Sequence, residues 1–183
     1  MTFSFHNNQP EQFLGIVREV AQWLVDRGEP LWNPDTLTAD NLFDEHTRDH
    51  AYVLYVQPEG PEAATSYVAT RAEPVPTAVP AATFTLQWQD PLYFGDVPAH
   101  TAGFIHKVAI RRAFAGQNLF QPLLDFCQAE CRRRGIRELQ LETDATRPAL
   151  MRLYERYGFE PTYQKTIHEF GQSFLCQYYV LRF

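Results

Sequence analysis

The chain has 183 residues, 45% of them hydrophobic and 14% aromatic, with a formal net charge of −6. That length and composition suffice for a substantial buried core in one domain, 1–183, and exclude wholesale disorder. No apolar run approaches the roughly 18 residues of a membrane-spanning helix, and the acidic balance argues against nucleic acid as a partner.

The opening MTFSFHNNQPEQF lacks the basic and apolar regions of a signal peptide. Three cysteines, Cys127, Cys131 and Cys176, are an odd number without an export signal, which points to reduced thiols and a cytoplasmic protein. Cys127 and Cys131 stand four apart in a helical pattern with no second ligand pair. They read as small buried residues, and no metal site is expected.

Phe13, Val17, Val20 and Leu24 recur at helical spacing, predicting a helix over 10–27 that Gly28 and Pro30 stop. A shorter helix is expected over 40–46, with Thr38 as its cap. The run 51–56 is rich in β-formers. Five prolines follow within 58–80, predicting a long connection with a short strand at 66–69. Residues 82–88 alternate like a half-buried strand, and Trp88, Tyr93 and Phe94 form an aromatic group that anchors a loop or lines an acceptor pocket.

The second half is more regular. A strand over 104–110 leads through a turn at 113–116 into a helix over 118–134, closed by Gly135. A strand at 138–142 precedes a helix opened by Pro148, with Leu150, Leu153, Tyr154 and Tyr157 on one stripe and Gly158 as its stop. Strands at 162–169 and 174–182, joined around Gly171, finish the chain. The order predicts an α/β (α+β) domain in which helices cover one sheet.

The familiar hydrolase, nucleotide-loop and zinc-protease signatures are absent. His46 and His50, four apart, read as a solvated surface, and Arg132, Arg133 and Arg134 as cations complementing a helix C-terminus. One constellation carries chemistry. A strand, a turn with Gly116 and a helix aim free backbone N–H groups and a helix dipole at one point, which suits a phosphate. About 30 residues on, a second strand leads to a helix carrying Arg147 and Tyr154.

Two segments, IHKVAIRRAFAGQNLFQPLL at 105–124 and ALMRLYERYGF at 149–159, resemble the GNAT-type N-acetyltransferases. The first is similar to that family's pyrophosphate motif and the second to its A-x-x-x-Y-x-x-x-G-F ending. The resemblance implies a mixed, mostly antiparallel sheet whose central strands, 104–110 and 138–143, splay at a β-bulge around acetyl-CoA, here a co-substrate. It implies pairing of the pantetheine arm with Val108, Ala109 and Ile110. The pyrophosphate would meet N–H groups of Ala115, Gly116, Gln117, Asn118, Leu119, Phe120 and Gln121, with Arg147 also on the cofactor. A backbone N–H near Val108 would meet the oxyanion. Tyr154 falls on the tyrosine that protonates the departing thiolate, and Glu142 is the candidate base, with His106 a neighbour able to bind substrate or relay a proton.

The expected reaction is therefore acetyl transfer to a primary amine of a small-molecule or peptide acceptor, and a homodimer is left open. The sequence also departs from the motif. Ala115 stands at an arginine or glutamine position, Asn118 and Phe120 at glycine positions, and Arg147 at an asparagine position. This motivates a rival reading, a non-catalytic GNAT-like binding protein. The Phe120 ring must either turn into the core or crowd the pyrophosphate, and weaker acetyl-CoA binding than an intact motif gives is expected, with Phe120 as the main cause. Asn118 can enter a left-handed conformation or, alternatively, cap the helix with Gln121 completing a capping-box-like pair.

Overall fold

In the computed structural model of the protein, all residues are described except 44–46, 58–66, 68, 72–73, 75–76, 96 and 170–171. Strand β1 (Thr2–Asn7) precedes helix α1 (Pro10–Asp26), the four-residue helix α2 (Ala39–Leu42), β2 (Ala51–Gln57), β3 (Ala69–Thr70) and β4 (Val79–Gln87). Helix α3 (Pro91–Phe94), β5 (Gly103–Ile110), α4 (Phe120–Arg133), β6 (Glu138–Asp144), α5 (Pro148–Arg156), β7 (Glu160–Glu169) and β8 (Gln172–Arg182) follow. The strands form one sheet in the order β3-β1-β2-β4-β5-β6-β8-β7. Among the described residues, only β1/β3 and β5/β6 are parallel pairs.

β1 is an element the hydrophobic pattern does not announce. Its pairing with β2 seats Phe5, fully buried, against Phe126 of α4 at a ring distance of 4.4 Å. The helix expected over 40–46 is described only as α2, capped by Thr38 as expected, while 44–46 lie outside the described residues. His46, Ser66 and the Gly171 turn lie outside them too.

The two faces of the sheet follow from strand alternation. On β2, Tyr52 and Leu54 join the α4 side with Phe84, Leu86, Phe126 and Leu139, and Val53 and Tyr55 join the α1 side with Phe13, Ile16 and Val17. α1 thus covers one face, and α4 and α5 the other. Cys127 and Cys131 are buried in the α4 core and Cys176 is buried in β8, all three as free thiols. Arg133 and Arg134 pair with Glu130 on their own helix, which agrees with the helix-terminus reading of that run.

The sheet opens at its centre. β5 and β6 pair only through Gly103, Phe104 and Ile105. Gly103 permits this approach: a Cβ there would lie 2.8 Å from Cys131 Sγ and 3.0 Å from Leu139. Beyond Ile105 the strands part. On its other edge, β5 carries one extra residue against β4, because Thr85 pairs with His106 but Thr83 with Ala109. Lys107 adopts φ 51° at this bulge, and Thr83 Oγ1 donates to its carbonyl. The expected splay and bulge are both present.

Candidate active site

The opening between β5 and β6 is a cavity of about 190 Å³ lined by Val108, Leu141, Glu142, Leu150 and Tyr154, among others. His106, Lys107, Tyr93 and the segment Pro30–Trp32 line both this cavity and an adjoining one of about 800 Å³ on the α1–α2 side. The larger space lies within the range of small-molecule sites, roughly 300–1,000 Å³. From His106 to Ile110 the β6-facing edge of β5 has no strand partner among the described residues. An extended chain entering the opening finds backbone groups there to pair with.

Tyr154 sits on the buried stripe of α5, its ring near Phe120, Phe159 and Tyr179 at 5.7, 6.1 and 6.0 Å. A purely structural buried tyrosine satisfies its hydroxyl. The Tyr154 hydroxyl has no hydrogen-bond partner among the described residues, although the side chain is only 8% exposed. Burial first, and then the charge of Glu142, raise its pKa above the ordinary tyrosine range, so the hydroxyl keeps its proton. Glu142 lies on β6, and its Oε2 is 3.0 Å from His106 Nδ1.

At the end of β5, a tight turn (Arg112–Phe114) leads to the start of α4. Gly116 and Asn118 both have left-handed backbones, φ 79° and 59°, and residues 115–118 are exposed. Glycine adopts this freely and asparagine tolerates it. The N–H groups of Gly116, Asn118, Leu119 and Phe120 have no partner among the described residues. Free donors at the N-terminus of a 14-residue helix fit an anionic diphosphate.

Several expectations are corrected in this loop. The N–H groups of Ala115, Gln117 and Gln121 are spent within the chain on Arg112, Phe114 and Asn118 carbonyls. α4 begins at Phe120, and Asn118 does not cap it; its Oδ1 accepts a hydrogen bond from the Tyr157 hydroxyl, while Gln121 donates to Asp125 at 2.8 Å. Phe120 does not crowd the loop: its ring is 2% exposed and packs on Tyr154 and Tyr157. Leu119 is buried likewise, so these two residues face the loop only through backbone.

Arg147 is held by groups of the chain itself. Its guanidinium lies 3.2 Å from Asp144 and donates to the carbonyls of Glu29 and Pro30. It thereby ties the segment leading to Leu31 and Trp32, which line both cavities, to the end of β6. Ala109 faces the α1 core. Of the aromatic group, Tyr93 lines both cavities, Phe94 packs on Phe104 and Tyr178, and Trp88 lies under Arg134 at 4.2 Å.

Asp90 is the residue the sequence did not single out. It caps α3, its Oδ1 accepting from Tyr93 N at 3.1 Å, while its Oδ2 lies 2.9 Å from His106 Nε2. An Asp-Pro pair opening a short helix is its only local signal. The partner ring comes from β5.

A splayed parallel pair, a bulge beside it and a donor-rich helix start after the same strand define an acyl-CoA-type transferase site. The model of the acetyltransferase (GNAT) family matches residues 17–159, and the chain belongs to that family. It is 25% identical over 153 residues to the uncharacterized N-acetyltransferase YesJ of Bacillus subtilis, a match covering 82% of this chain and 76% of that one. Its fold matches a GNAT-family acetyltransferase of Listeria monocytogenes at TM-score 0.64, with 15% identity and 99% and 95% of the two chains covered. It also matches yncA of Salmonella typhimurium, solved with acetyl-CoA, at TM-score 0.58, with 17% identity and 100% and 94% covered. The protein is an acyltransferase of the acetyl-CoA-dependent kind. No helix among the described residues is long and apolar enough to cross a membrane.

Proposed function

We propose that the protein transfers the acetyl group of acetyl-CoA to a primary amine of a small molecule or peptide, with Glu142 as base and Tyr154 as acid. The observation that supports this reading is the Tyr154 hydroxyl, unpartnered among the described residues and open to the same cavity as Glu142 at the mouth of the splay. Acetyl-CoA supplies an activated thioester. The free N–H groups of Gly116, Asn118, Leu119 and Phe120 would hold its diphosphate, and the unpaired edge of β5 near Val108, Ala109 and Ile110 its extended arm. The acceptor enters through the larger cavity.

Glu142 takes a proton from the acceptor ammonium, which frees the lone pair that bonds to the acetyl carbon. Tyr154 gives its phenolic proton to sulfur as the carbon–sulfur bond breaks. Its raised pKa suits a group that must stay protonated until that moment. Glu142 passes its proton to solvent. The nitrogen, which still carries two protons once bonded to carbon, loses one of them through water as the amide forms, and that proton restores Tyr154, so each transfer releases one proton overall.

Against a non-catalytic reading, the inward Phe120 ring leaves the loop uncrowded at one of the altered motif positions. Three buried free thiols favour a reducing compartment such as the cytoplasm. The test is an acetyl-transfer screen over amines, reading released thiol. Amine-dependent thiol release that falls at least tenfold in Glu142→Gln is expected. Thiol release with no amine dependence across the panel would overturn the amine reading.

A further inference from the structure

Where the two cavities meet, three side chains form a buried row. His106 places Nε2 2.9 Å from Asp90 Oδ2 and Nδ1 3.0 Å from Glu142 Oε2, and the side chains of His106, Asp90 and Glu142 are 9%, 7% and 14% exposed. The row is fixed at both ends and in the middle. Asp90 is held by capping α3, and Glu142 by the pairing of β6 with Tyr178 of β8. His106 pairs with Thr85 as the last residue before the bulge, with Tyr93 and Phe94 beside its ring at 5.3 and 6.3 Å.

The two carboxylates stand on opposite sides of one imidazole in a buried site, where like charges repel. A charged imidazole between them removes that conflict. The other charged or titratable groups around the row do not replace it. Lys107 lines the same cavities but makes no ion pair among the described residues. Asp144, further along β6, is paired with Arg147. Tyr154 and Tyr178 contribute neutral hydroxyls. His106 is the one cationic group within ion-pair distance of Glu142 among the described residues.

We propose that Asp90 and His106 are positioning residues for acetyl transfer: Asp90 holds His106 as a fixed imidazolium, and His106 in turn aims the Glu142 carboxylate at the acceptor nitrogen and keeps it charged. The proposal rests on the reading of Glu142 as base. Burial on its own would drive His106 to its neutral form, but the charges of Glu142 and Asp90 outweigh burial and lift its pKa to about 10. At neutral pH the ring therefore has no lone pair to offer, and it acts through Glu142. Because the folded-state pKa lies above the unfolded value, the row contributes stability that is complete below about pH 6.5 and is lost as pH rises through about 10.

The test has one arm independent of acetyl transfer. In protein labelled at histidine, NMR titration should show His106 charged at pH 8; a neutral His106 at pH 8 overturns the proposal. The second arm is the pH profile of transfer to an acceptor found in the amine screen. His106→Gln should move the acid limb of kcat upward by at least one pH unit while the KM for acetyl-CoA stays within twofold. A uniform drop with an unmoved acid limb would mean mere packing and overturn the proposal. Should His106→Gln fail to fold, Asp90→Asn keeps the cap on Tyr93 and carries the same question. It should lower the His106 titration midpoint by at least one unit, and an unchanged midpoint overturns the role of Asp90. If no amine is acetylated while His106 stays charged, the reading of the reaction fails and the charged row stands.

Discussion

Replacing Tyr154 with phenylalanine separates chemistry from packing, because the ring contacts to Phe120, Phe159 and Tyr179 survive and only the hydroxyl is lost. That hydroxyl has no protein partner among the described residues, so its removal orphans no buried donor or acceptor. The cost in stability should stay within about 1 kcal/mol. The cost in rate is of another order. General acid catalysis typically contributes about 10²–10⁴-fold, which corresponds to about 2.7–5.4 kcal/mol of barrier. Thiol release should be followed under conditions where chemistry limits, with acetyl-CoA affinity and thermal midpoint measured on the same preparations. The expectation is a turnover loss of at least 100-fold, with acetyl-CoA affinity and the thermal midpoint nearly unchanged. Wild-type turnover in a folded Tyr154→Phe variant would refute the role of the hydroxyl. A rate loss matched by a large drop in the midpoint would show that Tyr154 serves packing instead.

Two further substitutions test how the site is built. Phe120→Ala should destabilise by about 3–5 kcal/mol in denaturant unfolding, since its ring is core rather than loop; a change under about 1 kcal/mol would place the ring outside the core. Gly103→Ala should cost about 1–3 kcal/mol, because the new methyl meets Cys131 Sγ at 2.8 Å and two leucine side chains where β5 and β6 are joined. A neutral result would mean that this junction is loosely packed.

The second half of the chain was legible because its signals agree. Pro148 and Gly158 bracket α5, Gly135 closes α4, and the apolar stripe between them keeps helical period. Tyr154, Glu142 and His106 could be singled out because motif and strand placement put them near one another. Other features are long-range and leave little local trace. β1 is a short strand running into the polar His6–Gln9 stretch, and it becomes a strand by pairing with β2 and seating Phe5 on Phe126. Nothing local marks Lys107 for a left-handed bulge, which arises from the mismatch of β5 against β4. Asp90 looks like an ordinary helix cap until β5 brings His106 to it. The motif positions of Phe120 and Arg147 said nothing of where their side chains go, which the core and the 29–30 carbonyls decide.

The central claim is that acetyl-CoA lies in the opening between β5 and β6, with its diphosphate at the start of α4. The most direct measurement is a backbone amide NMR titration of the whole chain with acetyl-CoA. The account predicts the largest shifts at Gly116, Asn118, Leu119 and Phe120 and along 108–110, with small ones at Ala115, Gln117 and Gln121, whose N–H groups are already bonded. Shifts confined to other regions, or none at millimolar acetyl-CoA, would contradict it.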